Sequence, residues 1–494
     1  MTPHSEQIDS VRRHVSKTTS QERKGEFGQF MTPARIARFM ASLFPAPATD
    51  DCRMLDPGAG IGALSCAFLD RCVNHELTFK AIEVFAYELD DTLRAHLAEH
   101  LGAYNGVRTH VIGGDFIEQA GSPLLNRIED CTHAILNPPY KKINNGSTHR
   151  RLLSGLGIET VNLYSAFVAL AIAHARQGAQ IVAIIPRSFC NGPYYRSFRS
   201  FLFQHTAIKH IHLFHSRKKA FSDDDVLQEN VIIRLECGAK QGRVTVTTSS
   251  DDTFTDMVTC EHPFSHIVSK DDPEQFIHVP TAAGRTTIER NREISSTLDD
   301  LGIQVSTGPV VDFRLREHLS LDPDTGTVPL LYPGHFSAFK TEWPKPGFRK
   351  PNAIRLNDDT RKWLYPNGVY CVVRRFSSKE EKRRIVASVV DPTVFGEAAL
   401  LGFENHLNVF HKNKQGLPKR LADGLALYLN TAAVDEEFRQ FNGHTQVNAT
   451  DLRAMKYPSR SALMQLGEWM ESNEAAAHDV AYHDSFEALN QILG

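Results

Sequence analysis

Four apolar runs in the first third of the chain each end in an acidic or amide side chain. That repetition constrains the fold more than any other feature. Met54-Leu55 runs into Asp56, Phe79 to Tyr87 into Glu88, Arg108 to Ile112 into Gly114-Asp115, and Cys131 to Leu136 into Asn137. Short apolar runs alternating with helical patterns read as buried strands of a parallel sheet. Open α/β sheets bind ligands beyond the carboxyl ends of their strands. Successive polar strand ends therefore predict one site along one edge.

The chemistry of each end is specific. Asp56-Pro57-Gly58-Ala59-Gly60-Ile61-Gly62 is a glycine turn leading into a predicted helix from Ala63 to about Cys72. Its glycines let a ligand approach the backbone and the helix N–H groups. The spacing differs from the G-x-G-x-x-G dinucleotide fingerprint, and an Asp on the strand end suits an ammonium better than a pyrophosphate. Glu88 suits a ribose diol. Asn137-Pro138-Pro139-Tyr140 fixes φ twice and removes two backbone donors, leaving carbonyls, an amide and a ring. Such a turn fits a planar group that carries an exocyclic amine. Upstream, Thr32 reads as an N-cap and Pro33 as the first helical residue. Ile36, Phe39, Met40, Leu43 and Phe44 then share one helical face.

At 494 residues the chain predicts two or more domains, with a polar lead-in over 1–24, a first domain over 25–280 and a second over 285–494. Further strands read as Gln180 to Ile185, Ile208 to Phe214 and Asn230 to Leu235. Helices read from Asn162 to about Arg176 and from Phe198 to Phe203. Cys237 to about Arg285 reads as irregular, Thr287 to Leu301 as a helix, Val369 to Arg374 and Arg384 to Val390 as strands, and Leu417 to Asn430 as a helix. Hydrophobic content of 41% and charged content of 23% fit a soluble globular protein. No membrane-length apolar run or signal-peptide core is present, so a cytoplasmic protein is expected. The eight cysteines form no C-x-x-C pair and read as reduced packing thiols, with no metal site expected.

A net charge of −3 requires any nucleic-acid site to be local. Basic candidates are Lys141-Lys142, His149-Arg150-Arg151, Arg217-Lys218-Lys219, Arg374-Arg375 and Lys382-Arg383-Arg384, each of which also reads as a solvated face. Arg314, Arg316, His444, Gln446 and Asn448 are the right types for base edges or phosphates. Glu380-Glu381-Lys382 reads as a surface turn in a charge run.

In this order the motifs resemble the γ-class N6-adenine DNA methyltransferases of restriction–modification systems, the group of the TaqI, PstI and BsuBI modification enzymes. The matching residues are Gly28-Gln29-Phe30-Met31-Thr32-Pro33, Leu55 to Gly60, Asn137 to Tyr140, Asn162-Leu163-Tyr164 and Val226 to Ile232. The resemblance covers roughly residues 20–240, and more loosely the C-terminal half. It implies a Rossmann-like class I S-adenosylmethionine-dependent methyltransferase domain of α/β class, followed by a mixed α+β target-recognition domain. Thr32, Pro33 and the Asp56-Pro57-Gly58 to Gly60 turn would hold the methionine end of the cofactor. Glu88 would take its ribose, Asp115 its adenine amino group, and Phe116 its ring. Asn137, Pro138, Pro139 and Tyr140 would be catalytic, and Tyr140 would also stack on a flipped base. Phe221 resembles a second stacking aromatic and reads equally well as a loop anchor. Lys141, Lys142, Arg374 and Arg375 would contact double-stranded DNA. Such enzymes act as monomers in bacteria or archaea beside a separate restriction endonuclease. Methylation of RNA, of a protein glutamine or of cytosine N4 are the neighbouring alternatives, and a non-catalytic binding subunit is a rival of another class.

Overall fold

The computed structural model describes residues 3–18, 31–122, 128, 130–214, 229–270, 272–280, 294–337, 340–377, 381–442 and 446–473. Gly28-Gln29-Phe30, Arg217-Lys218-Lys219, Phe221, Val226-Leu227-Gln228, Glu380 and His444 lie outside these residues. The chain divides into two units, Met1–Ala283 and Gly284–Gly494.

The strands of the first unit are β1 (Asp51–Pro57), β2 (Ala81–Glu88), β3 (Val107–Gly113), β4 (Cys131–Leu136), β5 (Ala175–Pro186), β6 (Thr206–Phe214), β7 (Asn230–Cys237), β8 (Val244–Ser249) and β9 (Val258–His262). They form one sheet of order β3-β2-β1-β4-β5-β7-β6-β8-β9. β1 to β5 run parallel, and β7 lies antiparallel between β5 and β6.

Side-chain alternation splits the sheet between two cores. Leu55, Phe85, Leu136, Ile181 and Ile185 join one cluster, while Met54, Val84, Ile135, Val182 and Ile184 join the other. Sequence neighbours separate because successive strand side chains point to opposite faces. The first core also takes in the helices Phe116–Ala120, Leu163–Ala173 and Arg196–His205. The second takes in Ala34–Ser42, Ala63–Val73 and Asp91–Gly102, together with Ile8 and Val15 of the Pro3–Thr18 helix. Two covered faces explain the unbroken apolar strands.

Three local expectations are corrected. Cys237 to Arg285 is not irregular throughout, because β8 and β9 extend the sheet. In Val244-Thr245-Val246-Thr247-Thr248-Ser249 the threonines are β-branched, and their polarity hid the strand. The helix from Leu163 ends at Ala173, not Arg176, and β5 starts at Ala175 with Gly178 inside it at φ +81°. In the described part of the helix expected from Thr287 to Leu301, residues 294–301, Ile294–Ser296 is a strand paired with Tyr457–Pro458, and Leu298–Leu301 is helical. That short helix starts in a capping box of Thr297 and Asp300 and stops at Gly302.

In the second unit, strands Gln304–Thr307, Leu407–His411, Tyr370–Arg374 and Ala387–Val390 form an antiparallel sheet in that order. The helix Lys419–Leu429 packs on Arg460–Ser472 with almost no gap. A methyl group on Gly424 would collide with the Leu463 carbonyl, and one on Gly467 with that of Arg420. Backbone cannot yield as a side chain would. Gly424→Ala is therefore expected to destabilise the protein by about 1–3 kcal/mol or more, seen as a lower urea midpoint for the second unit's transition.

Candidate active site

The carboxyl ends of β1 to β4 open onto a cavity of about 500 Å³. Gly58, Gly60, Glu88, Asp115, Phe116, Asn137 and Pro139 line it, joined by Thr32, Lys141 and Lys142. These residues come from five separate segments that the parallel sheet brings to one edge. Pro33, Asp56, Pro57, Pro138 and Tyr140 do not line the cavity.

The glycine turn is left-handed at Gly58, Gly60 and Gly62, with φ of 76°, 58° and 91°. A Cβ at Gly60 would enter open space, so only glycine leaves that volume to a ligand. Glu88 ties the turn to β2. Its Oε2 accepts the Gly60 N–H and its Oε1 the Asp90 N–H, both at 2.8 Å. Burial pushes the Glu88 carboxyl above its ordinary range. Asp56 is fully buried; its Oδ2 accepts the Ser65 hydroxyl at 2.6 Å, and Oδ1 has no hydrogen-bond partner among the described residues. Burial pushes its carboxyl up to about 7 despite Ser65.

Asn137 is held from two sides. Its Nδ2 donates to the Thr32 hydroxyl at 3.0 Å, and its Oδ1 accepts the Tyr140 hydroxyl at 3.1 Å. Thr32 is not the N-cap expected of it. Pro33 occupies the cap position, the helix starts at Ala34, and Asp9 accepts the Ala34 N–H at 3.4 Å. The freed Thr32 hydroxyl serves Asn137 instead. Tyr140 meets Tyr164 edge-on, with ring centroids 6.2 Å apart.

His149, read above only as part of a basic run, lines the cavity and faces Asp115, Nε2 to Oδ2, at 3.1 Å. Asp115 Oδ1 also accepts the Glu118 N–H. Burial alone would raise the Asp115 carboxyl, but the hydrogen bond from His149 and those from the backbone hold it below its ordinary range. The bond to Asp115 raises His149. Ser147, Leu163 and Phe167 also line the cavity. Ser147 also caps the Thr148–Gly155 helix.

Other candidates have partners within the fold. Arg150 donates to the Thr160 carbonyl. Glu229 is buried with Arg187 at 2.8 Å, clamping the end of β5 to the start of β7. In the second unit Arg374 pairs with Glu381, and Asn448 caps the Ala449–Ala454 helix. Arg384 is no surface charge; it is fully buried against Ser377 and Asn442. All eight cysteines are free thiols.

This sheet order, with its cavity at the point where the strand sequence reverses, is that of the class I methyltransferases that use S-adenosylmethionine. Residues 134–221 match the family model of the Eco57I restriction-modification methylase. The type II methyltransferase M.BsuBI of Bacillus subtilis is 49% identical over 99% of this chain and 98% of its own length. M.PstI of Providencia stuartii, also a type II methyltransferase, is 40% identical over 94% of both chains. A solved DrdV–DNA complex shares the fold at a TM-score of 0.53, with 13% identity, covering 95% of this chain and 59% of that one. The chain belongs to the type II restriction-modification methyltransferases. The residues present fit S-adenosylmethionine: a glycine cradle, acceptors at Glu88 and Asp115, and apolar walls at Phe116 and Phe167. Among the described residues, no helix is long and apolar enough to cross a membrane.

The Asp115–His149 pair has a defined pH window. His149 is raised, so its contribution is lost as pH climbs through its folded pKa; Asp115 is lowered, so its contribution is lost as pH falls through its own. Titration of the His149 ring by NMR is expected to give a pKa above the ordinary histidine value in the wild-type protein. Asp115→Asn is expected to bring it back down.

Proposed function

We propose that the protein transfers the methyl group of S-adenosylmethionine to the exocyclic N6 of an adenine flipped out of a specific duplex DNA sequence. It acts as a monomer and marks host DNA against a cognate restriction endonuclease. The observation that carries this reading is the orientation of the Asn137 amide at the cavity wall, set by the bond from its Nδ2 to Thr32 and by the bond its Oδ1 accepts from Tyr140.

The amine of adenine is a poor nucleophile because its lone pair is delocalised into the ring. Asn137 Oδ1 and the Pro138 carbonyl accept its two N–H bonds. This favours a pyramidal nitrogen and steadies the charge that develops there, without reorganisation at the moment of reaction. The bound donor supplies an electrophilic methyl group on a sulfonium. Glu88 takes the ribose hydroxyls, and Asp115 takes the cofactor's adenine amino group. Seating donor and amine side by side adds the proximity term.

A target nitrogen inside a duplex is reached by extruding its nucleotide. Tyr140, set by Tyr164 and by its bond to Asn137, provides the stacking face. Lys141 and Lys142 are exposed beside the cavity and suit the flanking phosphates.

Asn137→Ala is expected to lower methyl transfer by about 10²–10³-fold or more while calorimetric S-adenosylmethionine affinity stays within a few-fold. Tritiated methyl groups offered with DNA, RNA and protein should label duplex DNA, and nucleoside mass spectrometry should find N6-methyladenine. N4-methylcytosine would overturn the base assignment, and label confined to RNA or to protein glutamine would overturn the substrate.

A further inference from the structure

Three segments of the second unit meet at one end of its four-stranded sheet. Arg374 and Leu407 are paired where their two antiparallel strands end and begin. Just beyond, the Arg375 N–H donates to the His406 carbonyl at 2.8 Å, and Phe376 forms an antiparallel bridge with Gln446. The Gln446 side-chain oxygen accepts from Arg375 Nη2 at 3.3 Å.

The side chains gathered here are unusual for a surface turn. Phe376 is 40% exposed, with its ring 4.8 Å from that of His406 and the Arg375 guanidinium 5.9 Å from its centre. Glu404 is fully buried below and accepts both the His406 N–H at 2.9 Å and Nδ1 at 2.6 Å. That carboxylate commits Nδ1, fixes the ring, and leaves Nε2 for a ligand. Gln446 is anchored from behind, because buried Asn442 donates to its carbonyl at 3.0 Å and to Asp451 at 2.8 Å.

A frame this rigid holds an apolar ring in water among an arginine, an imidazole and a carboxamide. Arginine pairs with guanine edges, glutamine with adenine edges, and an aromatic ring packs on a thymine methyl or wedges a base step. The cationic Arg375 favours a polyanion, while Glu404 beneath is buried and bonded to His406, and the nearby Asp312 is ion-paired with Lys350.

We propose that Arg375, Phe376, His406 and Gln446 form the base-reading element of this methyltransferase, with Glu404 as the positioning residue for His406. The proposal rests on the DNA-methylating reading above and locates its sequence selectivity.

The test is methylome mapping of a bacterial host without methylation of its own, expressing the full chain as wild type and as Arg375→Ala, Phe376→Ala, His406→Ala, Gln446→Ala, Glu404→Ala and Glu404→Gln. The wild type is expected to modify one motif. The alanine variants of the four reading residues should relax it at particular base pairs, losing tenfold or more in preference there. Glu404→Ala should relax the same position as His406→Ala, and Glu404→Gln should largely restore it. Where a variant modifies nothing, its binding to the wild-type motif duplex is compared with a scrambled duplex at fixed salt. A ratio falling towards one supports the proposal, and an unchanged ratio overturns it. A motif unchanged in every variant, even at uniformly lower occupancy, also overturns it. Absence of modified DNA with the wild type would sink the DNA reading itself, which is a distinguishable result.

Discussion

The parallel register of β1 with its two neighbours governs everything at the catalytic edge. Pro57 pairs with Tyr87, Leu55 with Ala134, and Glu88 with Gly113, so the glycine turn, the β2 acid, the β3 turn and the Asn137 turn arrive at one level. A slip of one residue would turn Leu55 and Phe85 to the wrong core and carry Glu88 away from the turn it holds. Glu88 locks that register at its end by accepting one N–H from the β1 turn and one from the start of the next helix. The two apolar cores thus set the register, and a buried carboxylate finishes it where apolar packing stops.

Much of this was legible because strand burial leaves a strong local signal. Cys131 to Leu136 has the bounds expected from its apolar run, and the strand-end residues Glu88, Asp115 and Asn137 line one cavity, while Asp56 lies buried behind its wall. What stayed hidden was set by partners distant in sequence. Thr32-Pro33 before an amphipathic helix reads as a cap and first turn, yet the acceptor for Ala34 is Asp9, 25 residues away, and Thr32 turns to Asn137, 105 residues away. His149 and Arg384 sat in basic runs that look alike in sequence. One faces a carboxylate across a cavity and the other is walled in by polar partners, a difference created only by packing.

The second unit shows how costly buried polarity is made tolerable. Burying a guanidinium without partners would be prohibitive. Arg384 meets Ser377 and Asn442 through its side chain, while its backbone N–H is taken by Asp435. Asn442 passes the connection to Asp451, which in turn receives the Asn448 N–H. Such a network specifies one geometry, since any shifted arrangement strands a donor or an acceptor. The same unit sets Phe376 in water, where burial would have stabilised the fold.

Asp56 presents the opposite balance in the first unit. Its carboxyl is raised to about 7 by burial, so between its unfolded pKa and that value the unfolded chain binds fewer protons than the folded one. Stability therefore falls as pH rises through that window, and the cost is complete above it. Ser65 offsets part of this, and Oδ1 remains an unmatched acceptor two residues before Gly58. A neutral residue would fold more cheaply there. A cation seated against the Gly58–Gly60 turn would be drawn to the charged carboxylate and would lower its pKa in return. The ammonium and sulfonium of the methyl donor are cations of that kind. The cost of ionising Asp56 would then be smaller with such a cation in the cradle.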